Sequence, residues 1–390
     1  MKLVYIATDP ITAFRLMDGQ LGYMQSRGFD VTVIAAPGPL LERTAQREGV
    51  RAIAVPMTRE MSPLADVASF LRLVRVLRRI KPDIVNAGTP KAGLLGVLAA
   101  QLCRVEVVVY LLRGLRFEGA RGAKRLLLAA TEHVAGGAAD RVFVNSASLR
   151  DRFVGLGCAP AAKAWVPAHG SSNGIELERF APSAEKREQA AIERRRLGLL
   201  DDAIVIGFVG RFTRDKGLVE LLQAFDRAAE AEPRLRLLLV GDHDDTDPLP
   251  LAARRLISQD PRIVATGFVD EPARFYALMD LFAFPSYREG FPNAPLEAAA
   301  AGLPVVGFRA TGTIDAVIDG ETGTLVARDD ADGFFRAILR YAASAELRQQ
   351  HGGAGQRRVA RLFRREVLWA ALEAEYRRLA AAAGRSPPTR

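Results

Sequence analysis

Short apolar runs of β-type composition alternate with segments of helical spacing along the whole chain, and this alternation limits the possible folds most tightly. The first half offers strands at 2–7, 30–35, 51–55, 83–87, 105–111 and 141–144. The second offers them at 203–210, 235–241, 262–267, 281–285, 303–308 and 323–327. Between them lie segments such as 66–80, where Val67, Phe70, Leu71, Val74 and Leu77 recur at helical spacing. Apolar strands alternating with helices specify parallel sheets covered on both faces. The pattern restarts near residue 203, so the chain reads as α/β with two doubly wound, Rossmann-like domains facing across a cleft. The 390 residues exceed what one core usually supports. The expected domains are 1–181 and 203–365, separated by a charged junction at 182–202. A last helix at 366–383 is expected to return and complete the first domain. The tail from Gly384 is expected to be disordered.

Composition excludes several classes. Two cysteines, Cys103 and Cys158, make no disulfide framework and suit a reducing cytosol. The opening MKLVYIATDP reaches Asp9 too early for a secretory signal, and the apolar stretch 92–112 is broken by Arg104 and Glu106. Residues 1–180 hold 24 Lys and Arg against 15 Asp and Glu, whereas 181–390 hold 30 of each, so the whole excess of +9 sits in the first half. That asymmetry fits an anionic substrate or surface. Arg72, Arg75 and Arg79 share one stripe of the 66–80 helix, and Arg113, Arg116, Arg121, Lys124 and Arg125 cluster close together in sequence.

In open α/β sheets, ligands sit at the C-terminal ends of the strands, so the loops there carry the chemistry. In FVGRFTRDKG (208–217) a strand ends at Gly210, and Arg211, Arg214 and Lys216 precede a helix from Leu218. Arg and Lys at such a turn form a candidate phosphate clamp, although a solvated basic turn has the same composition. In EGFPNAPLE (289–297), Glu289 lies in a loop and Glu297 lies eight positions later, in the first turn of a helix that Pro295 opens. Backbone amides of Gly290, Phe291, Asn293 and Ala294 surround that start and favour an anion, while Pro292 cannot donate. Carboxylates beside a phosphate site make sense if the ligand carries a diphosphate and polyhydroxy rings, as a nucleotide sugar does. The acidic run DHDDTD (242–247) resembles a metal-binding D-x-D, but the cations at the phosphate site make a solvated acidic loop the better reading.

The E-x7-E pair, preceded by GRF…DKG, resembles the retaining glycosyltransferases of GT-B fold called group 1, or family 4. The segments 266–306 and 320–326 are similar to the same family. In the first half, TPKAGLLG (89–96), RGLRFEGA (113–120) and HGSSNGIELERF (169–180) resemble a branch that builds bacterial surface polysaccharides. The resemblance implies that Arg211 and Lys216 neutralise the donor diphosphate. It places Glu289 near the donor sugar and Glu297 on the ribose. It puts Gly267–Val269, and so Phe268 and Val269, beside the base.

The implied catalytic set is Arg211, Lys216 and Glu289. The donor-binding set adds Gly210, Phe268, Val269, Gly290, Phe291, Asn293 and Glu297. No metal and no cofactor are expected, because the two cations already supply positive charge. Acceptor-side candidates are Asp9, Lys91 and Arg113; many relatives carry histidine where this chain has Arg113, which suggests an anionic group nearby. The expected partners are a nucleotide sugar, most simply a UDP-sugar, and a lipid-linked or other saccharide; nucleic acid is not expected. The expected location is the cytoplasm, at an anionic inner membrane face. A soluble aglycone as acceptor, a nucleotide-sugar 2-epimerase and a non-catalytic nucleotide-sugar binder are the competing readings. The first-strand loop lacks G-x-G-x-x-G, which weakens an oxidoreductase reading.

Overall fold

The computed structural model describes residues 1–58, 60 and 62–384; the tail at 385–390, expected to be disordered, lies outside them. Contacts divide the chain into two units: Met1–Gly174 with the segment from Arg365, and Ile175–Arg364.

The first unit carries a seven-stranded parallel sheet, β1 (Lys2–Ile6), β2 (Asp30–Ala35), β3 (Arg51–Ala54), β4 (Ile84–Gly88), β5 (Val107–Leu112), β6 (Arg141–Val144) and β7 (Ala164–Trp165), in the order β3-β2-β1-β4-β5-β6-β7. The strands read as unbroken apolar runs because both faces are covered. One face is packed by the helices Pro63–Ile80, Pro90–Leu102 and Gly122–Ala138. The other is packed by helices of the first 48 residues and by Arg365–Ala382, which inserts Leu368, Trp369, Leu372 and Tyr376 beside Leu3, Tyr5 and Phe143. Each such buried side chain contributes about 1.5–3 kcal/mol.

The second unit carries six parallel strands, β8 (Ile204–Val209), β9 (Leu235–Val240), β10 (Ile263–Ala265), β11 (Leu281–Phe284), β12 (Val305–Phe308) and β13 (Gly323–Val326), in the order β10-β9-β8-β11-β12-β13. In both sheets the chain first builds outward on one side, then restarts on the other. The reversal falls between β1 and β4 in the first sheet and between β8 and β11 in the second. A crevice opens at such a point, because successive connections leave in opposite directions.

Three expectations need correction. Residues 175–181 and the 182–202 junction belong to the second unit: Ile175 N donates to Phe363 O (2.7 Å), and Ala190 and Leu199 are buried in that unit's core. The two-residue strand β7 was not expected. On the helix Pro63–Ile80 the buried face runs through Ser69, Leu73, Val74, Leu77 and Ile80, leaving Val67 (58%) and Leu71 (47%) exposed. The stripe expected from periodicity was rotated away from the true face. Among the described residues, no helix is long and apolar enough to cross a membrane.

Candidate active site

The sheet order of the second unit brings together the two loops that the sequence singled out. β8 and β11 are hydrogen-bonded neighbours, so the loop after β8 and the loop after β11 leave the sheet side by side at the reversal. Gly217 locks them together. It has φ +69°, and a Cβ there would lie 2.0 Å from Pro285 O. Only glycine accepts both the left-handed backbone and that approach. Tyr287 N donates to Asp215 O (3.0 Å) and Arg288 reaches Asp215 Oδ2 (3.4 Å) across the same seam. A third loop, after β12, closes against them: a Cβ on Gly312 (φ +78°) would lie 2.7 Å from Gly290 O and 3.1 Å from Glu289 Cβ.

This packing fixes Lys216 opposite Glu289. Lys216 Nζ donates to Glu289 Oε1 at 2.5 Å, with both side chains largely buried, and Ser286 Oγ donates to the same oxygen at 2.7 Å. The sequence reading had Lys216 and Glu289 serving different parts of a ligand; in the structure they meet each other. The pairing offsets the cost of holding two charges in a partly desolvated seam. Arg211 is also paired, donating to Asp244 Oδ2 at 2.6 Å. The run 242–247 is therefore not simply a solvated acidic loop. Phe212 N donates to Asp242 O (2.8 Å), Arg214 N to Asp247 O (3.2 Å) and Asp215 N to Asp247 Oδ2 (2.8 Å), so this run lies along the Arg211 loop. Gly210 sits at the crossing: a Cβ on Gly241 (φ +144°) would lie 1.9 Å from Gly210 O. Among the described residues, no group of three or more His, Cys, Asp or Glu side chains is arranged to hold a metal ion.

The helix after the β11 loop runs Asn293–Ala300, two residues earlier than Pro295 suggested, so Glu297 stands in its second turn rather than its first. The N–H groups of Asn293 and Ala294 have no partner within the helix. Glu297 Oε2 accepts from Tyr276 Oη at 2.7 Å. Tyr276 is fully buried, and burial followed by the charge of Glu297 pushes its hydroxyl well above its ordinary pKa, so it stays a donor. Tyr276 ends the short helix Ala273–Tyr276, which follows the segment 267–269. In that segment Phe268 is 64% exposed and Val269 half-buried. The Phe291 ring is buried against Phe363 (5.5 Å between centroids), so the ring is turned into the core.

The second unit thus gathers Gly210, Arg211, Lys216, Glu289, Gly290 and Asn293 at one sheet reversal, with Glu297 on the adjoining helix. Two cations, backbone donors at a helix start and two carboxylates suit an anion joined to a polyol. Sequence reasoning missed Asp244, Ser286 and Tyr276. Asp244 could have been found by asking what balances Arg211; Ser286 and Tyr276 carried no local signal.

Comparisons with known proteins show the family. Residues 203–344 match the family model "Glycosyl transferases group 1" and residues 19–169 match "Glycosyl transferase 4-like domain". The capsular polysaccharide biosynthesis glycosyltransferase CapM of Staphylococcus aureus is 34% identical over 361 residues, covering 93% of each protein. The chain is a group 1 glycosyltransferase. This glycosyltransferase is also 28% identical to an Escherichia coli UDP-Gal:alpha-D-GlcNAc-diphosphoundecaprenol alpha-1,3-galactosyltransferase, over 87% of each chain. Its fold matches the crystal structure of Anabaena Alr3699/HepE in complex with UDP and glucose, with TM-score 0.79, 19% identity, and coverage of 96% of this chain and 99% of that one. The two Rossmann-like units are those of the GT-B architecture.

In the glycosyltransferase's first unit, the acceptor-side candidates stand at the C-terminal ends of three adjacent strands, β1, β4 and β5. Asp9 caps the helix Pro10–Leu16, its carboxylate accepting from Ile11 N (3.0 Å). Lys91 donates to Asp66 Oδ1 (2.6 Å) and Thr58 Oγ1 (3.1 Å). Arg113 is not part of a surface basic cluster. Arg113 is half-buried, its guanidinium donates to Ser172 O (3.2 Å) and Leu16 O (3.4 Å), and desolvation pushes it down to about 10.

Proposed function

We propose that this glycosyltransferase moves a hexose or N-acetylhexosamine from a UDP-sugar to a lipid-linked saccharide, with retention of anomeric configuration, in the assembly of a cell-surface polysaccharide. The observation that carries the reading is the convergence of Arg211, Lys216, Glu289 and the Asn293–Ala300 helix start at the β8/β11 reversal. The full-length relatives named for capsule synthesis and for a diphosphoundecaprenol acceptor support the substrate class.

As the bond from the anomeric carbon to the diphosphate breaks, negative charge grows on the leaving phosphate. Arg211 and Lys216 are the groups to meet it, and amides of Asn293 and Ala294 add to them. No metal is needed on this account. Glu289, set by Ser286, faces the sugar; Glu297, set by Tyr276, accepts from the ribose hydroxyls; Phe268 and Val269 flank the base. The acceptor hydroxyl attacks on the face that the diphosphate leaves, and its proton passes to the departing phosphate oxygen, so no protein nucleophile is assigned. Asp9, Lys91 and Arg113 belong to the acceptor side.

The lipid-linked acceptor brings the enzyme to the cytoplasmic face of the membrane as a peripheral protein. Supporting this, Arg121, Lys124, Arg125, Leu126 (74% exposed) and Leu127 (52%) follow one another at the start of the helix Gly122–Ala138. Exposed Leu64, Val67 and Leu71 share the helix Pro63–Ile80 with exposed Arg72, Arg75 and Arg79. Basic residues near an anionic leaflet contribute about 1 kcal/mol each.

The test is transfer measured by mass spectrometry with a panel of nucleotide sugars against diphosphoundecaprenol-linked and soluble saccharides. Transfer from a UDP-sugar to the lipid-linked acceptor supports the reading; transfer to soluble aglycones alone sinks the acceptor class. Inversion at C2 of the donor without acceptor sinks the reaction type.

A further inference from the structure

The Arg211–Asp244 pair contains an asymmetry that the donor site as described leaves unused. Asp244 is fixed by its own loop. Thr246 N (2.9 Å) and Thr246 Oγ1 (2.6 Å) both donate to its Oδ1, leaving Oδ2 for Arg211. The Thr246 hydroxyl bond is the strongest influence holding the Asp244 carboxyl well below the usual range, followed by Arg211 and then the Thr246 amide. The carboxylate therefore stays satisfied when Arg211 leaves. Arg211 is the opposite case. Its side chain is 57% exposed, against 23% for Asp244. The backbone beneath it is held still: Phe212 is buried, Gly210 N donates to Val240 O (3.0 Å) and Phe212 N to Asp242 O (2.8 Å). A long, exposed cation is rooted in a well-bonded loop beside an anion held by its own loop.

Resting on the proposed donor site, we infer that Asp244 is the resting counter-ion of Arg211, and that the donor diphosphate captures the guanidinium from it. Donor binding and nucleotide release then both proceed by exchange of Arg211 between two anions. Four consequences follow from the chemistry. An empty site with unpaired Arg211 and Lys216 would hold any passing phosphate. With Asp244 and Glu289 in place, each cation has a carboxylate to return to. The spent nucleoside diphosphate, more highly charged than the donor, is not retained, because Asp244 competes for the same guanidinium. Asp244 thereby weakens nucleotide binding and speeds product release without touching substrate.

The experiment is a double-mutant cycle on the full-length enzyme, with UDP as probe, read by titration calorimetry and by the UDP off-rate in stopped flow. Exposed ion pairs are weak, so Asp244→Asn is expected to tighten UDP about two- to fivefold and to slow its release by a similar factor. In the Arg211→Ala background the same substitution is expected to leave UDP affinity unchanged. Asp244→Ser serves as a second variant, and thermal melting without ligand checks that each protein is folded. Weaker UDP binding by folded Asp244→Asn overturns the inference, because Asp244 would then hold Arg211 in its working position. Equal tightening in both backgrounds also overturns it, leaving only a general field effect. Arg211→Ala that binds UDP as tightly as the parent removes Arg211 from the site and overturns the proposed clamp with it, an outcome distinct from the other two.

Discussion

Lys216 and Glu289 stand 73 residues apart in sequence, and their side chains meet at 2.5 Å because β8 and β11 are sheet neighbours. The pair makes a specific demand on the substitutions that break it. Lys216→Ala is expected to abolish the thermal shift that a UDP-sugar induces and to lower transfer by about 10²–10³-fold. Glu289→Ala is expected to lower turnover far more than nucleotide affinity, if it faces the sugar as proposed. Steady-state kinetics with UDP titrations separate the two effects.

Tyr276 and Glu297 give the converse expectation. Tyr276→Phe removes the hydrogen bond that sets the Glu297 carboxylate and leaves the ring packing in place. Such a bond is worth about 0.5–1.5 kcal/mol. Nucleotide affinity is expected to fall about two- to tenfold with turnover at saturation nearly unchanged, and Glu297→Ala is expected to do the same more strongly. Equal loss of turnover in both variants counts against the ribose role.

Gly217→Ala tests the seam itself. The new Cβ meets Pro285 O and a left-handed backbone together. Gly198 supplies the comparison, with φ +71° and open space where its Cβ would go. Gly198→Ala is expected to cost only the backbone strain, about 1–2 kcal/mol. Gly217→Ala is expected to cost more in urea unfolding and to lose nucleotide binding, because the two loops must part.

Glu132 predicts how stability varies with pH. It is 2% exposed, and it accepts a hydrogen bond from the Tyr110 hydroxyl at 2.7 Å. Burial raises its carboxyl from 4.5 to about 7, against the opposing Tyr110 bond and the charge of His133. A raised acid stabilises the fold fully below its unfolded pKa and loses that contribution as pH climbs through the folded one. The loss between pH 4.5 and 7 is roughly 3 kcal/mol. Glu132→Gln is expected to flatten melting temperature against pH across that window and to exceed the parent protein at pH 8.

Much of this was legible before any coordinates. Among the described residues, twelve of thirteen strands announced themselves as apolar runs bounded by turns, because strands buried on both faces carry no competing polar pattern. Arg211, Lys216, Glu289 and Glu297 could be singled out from residue type and spacing near strand ends, and the β8/β11 pairing brings their loops together. What escaped depended on who stands opposite whom. Nothing local says that Arg211 rests on Asp244, that Ser286 sets Glu289, or that Tyr276 reaches Glu297. The partial burial of Arg113 was hidden for the same reason, since Leu16 and Ser172 reach it from distant parts of the chain. Val67 and Leu71 show the opposite error: their spacing looked like a core face, but the sheet lies against another side of their helix.

The return of Arg365–Ala382 to the first unit gives the chain an unusual order of completion during synthesis. The ribosome finishes Ile175–Arg364 as one continuous stretch, so that unit has every residue of its core before translation ends. Met1–Gly174 is made before that unit yet is completed after it, because Trp369, Leu372 and Tyr376 are translated only after Arg364. Until they arrive, the part of one sheet face that the helices of the first 48 residues leave uncovered lies bare, exposing apolar surface that invites aggregation or a chaperone. Of the two units, the one translated earlier is the one closed later.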